Sequence, residues 1–217
     1  MNNTINDLTY CIFVTTNQED IVPCMERYLL VSKNIFPVSM ENIFVLRDKI
    51  VTICKEKQFN LNFIFLRLWW NRNLILNKIG SFIMPLVFSK PDEEVISSIT
   101  NAAWRIDDIE LANYFSYNLS QIIINKLDKW EKLLFNLFSS DNLWTNYSAA
   151  NTLLLLSQND LNSVPAILKI INEIKGDFDL ETKKLIITIY ENISHHLNIS
   201  TIQLKTNNYS HKITLKP

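Results

Sequence analysis

Residues 107–138 read DDIELANYFSYNLSQIIINKLDKWEKLLFNLF. Within them Ile109, Ala112, Phe115, Leu119 and Ile122 recur at three- and four-residue steps, the apolar stripe of an amphipathic helix over 107–125. Asp107 stands at the expected N-cap with Glu110 three residues on, a capping box that satisfies orphan amides. The next stretch, 127–138, gathers Trp130, Leu133, Leu134, Leu137 and Phe138 on one face. Two amphipathic helices separated by so short a connection predict an antiparallel helical pair.

The same grammar extends in both directions. Asp141 is the expected cap of a helix carrying Ala149, Ala150, Leu153 and Leu154. Segment 161–175 carries Val164, Ile167, Ile170, Ile171 and Ile174 and meets Gly176, a residue suited to the C′ position. Segment 180–196 carries Leu185, Ile186, Ile189 and Ile193. Upstream, Ser39 caps a helix running through Cys54, and Pro91 with Asp92, Glu93 and Glu94 opens another. The count predicts about nine or ten helices, and successive pairs recur at about 35–40 residues, the period of HEAT-like arrays. The expected fold is all-α, an α-α superhelix of HEAT-like or armadillo-like type spanning 18–198.

Both flanks, 1–17 and 199–217, read as extended. The run LTYCIFVTT at 8–16 is rich in β-branched and aromatic residues, and 201–216 alternates on either side of Asn207-Asn208, which predicts a short C-terminal β-hairpin. The edge of such a hairpin can pair with 8–16 or with a second chain, which makes a homodimer through the terminal strands one expected assembly.

Composition sets the outer limits. A chain of 217 residues, 47% hydrophobic and 20% charged, can build a substantial core, which excludes a disordered polymer. With 21 basic and 22 acidic residues the net charge is -1, without the basic excess typical of a dedicated nucleic-acid binder. Cys11, Cys24 and Cys54 are odd in number and scattered, which predicts reduced structural thiols in a cytoplasmic protein. The N-terminus lacks the basic and apolar regions of a secretory signal. The most apolar stretch, 61–88, is broken by Arg67, Arg72 and Lys78, so no membrane span is expected. Glycine occurs only at Gly80 and Gly176, which excludes a glycine-rich phosphate loop. The adjacent His195 and His196 point to different sides of a helix and His211 stands apart, so neither metal nor cofactor is expected.

Three groups stand out as candidate functional residues: Trp104 with Asp108, Trp144 at the start of its helix, and Tyr28 after Arg27. Each also has a structural reading, with the indoles as anchors between repeats, Asp108 as a first-turn acid and Tyr28 as packing.

Over about residues 20–195 these features resemble the HEAT-like DNA alkylation repair glycosylases, which excise cationic alkylpurines. The Arg27-Tyr28 step, Leu68 with Trp69, the Trp104/Asp108 pair, and Ser140, Asp141, Asn142 and Trp144 are similar to the family's motifs in order and spacing. The resemblance implies Asp108 as the catalytic carboxylate and Tyr28, Trp104, Trp144 and Tyr147 as residues around the lesion. A carboxylate there would stabilise an oxocarbenium-like state, and aromatic faces would hold a cationic base. The chain departs from the pattern at Tyr147, where the family has an Arg, near Ile187 and Thr188, where it has a Trp, and in FPVSMEN, which lacks the family's Gly. The readings that follow are a diverged member that binds damaged duplex DNA with weak or absent excision, and, as the alternative, a non-catalytic helical-repeat scaffold with a protein partner in its concave face. A basic concavity exposing Asp108 favours the first, an apolar or acidic one the second.

Overall fold

A computed structural model describes residues 9–11, 13–31, 39–197, 201–206 and 209–214. The fold is helical, and the chain divides into two compact units, Met1–Ser89 and Lys90–Pro217.

The first unit begins with α1, helical at 9–11 and 13–14, where the β-branched run predicts extended chain. Tertiary ties override the local preference. A Cys11–Cys24 disulfide joins α1 to α2 (Ile21–Val31), and the Lys57 ammonium donates to the carbonyl of Phe13 in α1 and to that of Thr15 just beyond it. The disulfide corrects the expectation of three reduced thiols, since only Cys54 is free, and cysteine usage therefore gives no argument for a reducing compartment.

Ser39 caps α3 (Met40–Glu56) through the Asn42 amide, as its sequence position predicts. Asn60 caps α4 (Leu61–Trp69) and Asn73 caps α5 (Leu74–Val87). Helix α2 packs on α4, α3 on α5, and α4 closely against α5. Gly80 permits that last approach, because a Cβ there would lie 3.0 Å from the Trp69 amide nitrogen and 3.1 Å from Leu68 Cβ. The buried Asn77 amide locks the same junction by donating to the carbonyls of Leu68, Trp69 and Asn71.

The second unit holds α6 (Glu93–Ala103), α7 (Ile109–Ile123), α8 (Leu127–Phe138), α9 (Leu143–Asn159), α10 (Val164–Glu173) and α11 (Leu180–Leu197). They pack in two rows: α6, α8 and α10 form one, α7, α9 and α11 the other, and the rows meet through α9 against α8 and α10. The bounds of α8 coincide with its apolar stripe. Helix α10 stops at Glu173, and Gly176 is not a left-handed cap; no glycine has positive φ, and at Gly176 an added Cβ would instead lie 3.0 Å from Phe178 Cζ.

Helix α9 is flanked on both sides, which its composition permits. Thr145, Ser148, Ala149, Ala150 and Thr152 are fully buried, and such small side chains let neighbouring helices approach closely. The hydroxyls of Ser148 and Thr152 stay satisfied by bonding back along the helix, Ser148 to the Trp144 carbonyl and Thr152 to that of Ser148. Ser116 of α7 donates both to its own Ala112 carbonyl and across to Ser148.

Asp160, at the end of α9, ties the far end of the unit. It is 4% exposed and accepts from the amides of Asn125 (2.9 Å) and Asn162 (3.2 Å) and from the Ser163 hydroxyl. Asn125 sits at φ 60°, a conformation Asn tolerates better than most residues.

After α11, β1 (Thr201–Thr206) and β2 (Tyr209–Thr214) form an antiparallel ladder in which Ile202 faces Ile213. The Asn207-Asn208 turn lies outside the described residues.

Candidate functional site

Most of the residues singled out in the sequence collect at the N-terminal ends of α7 and α9. Asp108, not Asp107, caps α7: its Oδ1 accepts the Leu111 amide at 2.8 Å. Asp107 is drawn away by Arg105, whose guanidinium reaches it at 2.7 Å. Asn142, not Asp141, caps α9, accepting the amides of Trp144 (2.8 Å) and Thr145 (3.3 Å). The same Asn142 side chain donates through Nδ2 to the Ile106 carbonyl at 3.1 Å and towards that of Trp104 at 3.5 Å. An amide can accept at the helix and donate to the preceding connection whereas an ionised carboxylate can only accept, which is why Asn wins over the neighbouring Asp. Thr145 adds a bond to the Ala103 carbonyl at 2.9 Å.

Trp104 is the residue after α6 and is 58% exposed. Trp144 is half-buried, with its ring edge-on to Tyr147 at 6.0 Å between centroids. Tyr147 is 9% exposed, and its hydroxyl donates to Asn113 Oδ1 at 3.2 Å. Asn151 donates to the same oxygen at 3.1 Å. Burial, with the Glu181 carboxylate nearby, pushes the Tyr147 phenol above its ordinary pKa, so it stays neutral near pH 7. Tyr28 lies on α2 of the other unit, and its side chain lies outside the described residues.

Asn113, Asn151 and Glu181 did not emerge from the sequence. For Asn113 and Asn151 the signal is spacing, since they stand 38 residues apart, within the 35–40-residue period read from the sequence; Glu181 carries no such signal.

Chemically the site is polar and neutral to acidic. Its basic groups are engaged in ion pairs, Arg105 with Asp107 and Lys184 with Glu181. A phosphate clamp needs unopposed guanidinium or ammonium groups, and a neutral phenol does not replace one. Among the described residues, no group of three His, Cys, Asp or Glu side chains is disposed to hold a metal ion. No described helix is long and apolar enough to cross a membrane.

No protein-family model, no curated protein and no solved structure matches the chain.

Proposed function

We propose that the chain is a non-catalytic helical-repeat scaffold whose second unit is built from HEAT-like repeats and docks a protein partner. The observation that carries the reading is the employment of the two residues on which glycosylase chemistry would depend. Asp108 has its Oδ1 committed to the α7 cap, and Tyr147 stands in place of a cation with its hydroxyl held by Asn113. The regular pairing of α6 with α8, α8 with α10, α7 with α9 and α9 with α11 supports the repeat assignment.

The exposed Trp104 indole, four residues from Asp108, favours the second reading, a diverged glycosylase that binds damaged duplex DNA. One experiment separates the two. Purified protein is incubated with alkylated duplex DNA, and released 3-methyladenine and 7-methylguanine are quantified. The scaffold predicts release no faster than in protein-free controls. Release that Asp108→Asn abolishes would overturn it.

A further inference from the structure

We propose that the N-terminal edge of the α7–α9–α11 row is the docking surface for a cationic peptide segment of a partner protein, one that carries regularly spaced apolar side chains. The inference rests on the scaffold reading and specifies its partner.

The first observation is a recurrence. The opening residue of each helix in the row is large, apolar and exposed: Ile109 is 46% exposed, Leu143 47% and Leu180 66%. Trp104, on the connection into α7, joins them, and the side chain of Asn142, the residue before Leu143, donates to the Ile106 carbonyl on that connection. Single exposed apolar residues are ordinary on any surface, whereas the same position left apolar in three successive helices makes a stripe. Packed neighbouring helices stand about 8–10 Å apart, so three openings mark a line roughly 20 Å long.

The second observation is charge. The segments that frame the stripe, 104–110, 141–145 and 177–184, hold seven carboxylates against three basic side chains, an excess larger than the net -1 of the whole chain. All three bases are already paired within the edge: Arg105 with Asp107, Lys183 with Asp177 and Lys184 with Glu181, each at 2.7 Å. An apolar line in a negative field selects Lys or Arg beside apolar anchors and repels a phosphate backbone. A chain in the polyproline II conformation advances about 3.1 Å per residue with three residues per turn, so apolar side chains at every third position share one face about 9 Å apart and match the helix spacing. Seven residues then span the three openings.

The test is fluorescence anisotropy with a panel of labelled seven-residue peptides, with Leu at every third position and Lys or Arg between. Saturable binding is expected, weakening with salt. Peptides with Glu for the basic residues, or Ser for Leu, should bind at least tenfold more weakly. A Trp104→Ala/Leu143→Ser variant should lose at least tenfold in affinity while keeping its helical circular dichroism, because both side chains are exposed. Absence of binding across the panel, equal binding of the Ser-substituted peptides, or unchanged affinity of the variant overturns the proposal. Two further results keep the failures distinct. A stoichiometric partner that co-purifies equally with wild type and variant sinks this edge and leaves the scaffold standing. Base excision by the wild type sinks the scaffold itself.

Discussion

Replacing Asp160 tests how the far end of the second unit is held. Burial alone would push its carboxyl pKa up, but the Ser163 hydroxyl and the amides of Asn125, Asn162 and Ser163 more than offset this and hold it below the usual range. Asp160→Ala leaves the Asn125 and Asn162 amides and the Ser163 hydroxyl without their acceptor. An unsatisfied buried donor costs about 1–3 kcal/mol, and with water reaching the part-buried amides the sum comes to roughly 3 kcal/mol. For a protein of this size that lowers Tm by about 6–12 °C. Asp160→Asn keeps one carbonyl acceptor and loses the charge, which costs about 1–2 kcal/mol. The sign with pH follows from the depressed native pKa. The stabilisation is complete above the unfolded value near 3.9 and drains away as pH falls through it towards the native value. Thermal unfolding followed by circular dichroism from neutral to acid pH reads both effects: the deficit of Asp160→Asn should shrink below about pH 4. A loss under about 1 kcal/mol for Asp160→Ala, or an Asp160→Asn deficit that does not change with pH, refutes the reasoning.

Other changes probe other parts of the chain. Gln58, two residues past the end of α3, sits at φ 57° and is exposed to solvent, so Gln58→Gly should relieve left-handed strain and raise stability by about 0.5–1 kcal/mol, read from denaturant midpoints. Burial lifts the pKa of Tyr190 to about 12 and that of Cys54 to about 11. Their contributions are whole below the unfolded values near 10 and 9 and are lost as pH climbs above them, so unfolding at rising pH should coincide with late phenol ionisation in an ultraviolet titration. Tyr147→Arg, which supplies the Arg of the glycosylases that the sequence resembles, should cost about 1–3 kcal/mol by bringing a charge into a buried position and removing the phenol's bond to Asn113, and should release no alkylated base from duplex DNA.

Much of the helical plan was legible because apolar periodicity and packing agree. Residues 127–138 show this best, since Trp130, Leu133, Leu134, Leu137 and Phe138 are all buried where their spacing puts them. Caps were legible only to within one residue. Asp107 and Asp108 are equally good caps in isolation, and Arg105 decides between them; Asp141 and Asn142 differ only in donor capacity, which matters once the Trp104–Ile106 connection lies alongside. The Cys11–Cys24 pairing and the helical turn of α1 depend on contacts that no local pattern encodes. Of the candidate site, Trp104, Asp108, Trp144 and Tyr147 fall in one region of one unit, but whether a carboxylate caps a helix or faces a ligand is settled by its hydrogen bonds.

The slender middle helix of the second unit also governs how that unit breathes. Since α9 is clasped by α7 on one side and α11 on the other, its amides can reach solvent only after a flanking helix lifts away. Exchange with heavy water should therefore proceed from the outer helices inward, with the slowest amides around Ser148 to Leu153. An array held by nearest neighbours loosens from its ends while its centre still holds. Motion in this unit is thereby pushed towards its periphery, and α9 remains the fixed reference against which the other helices move.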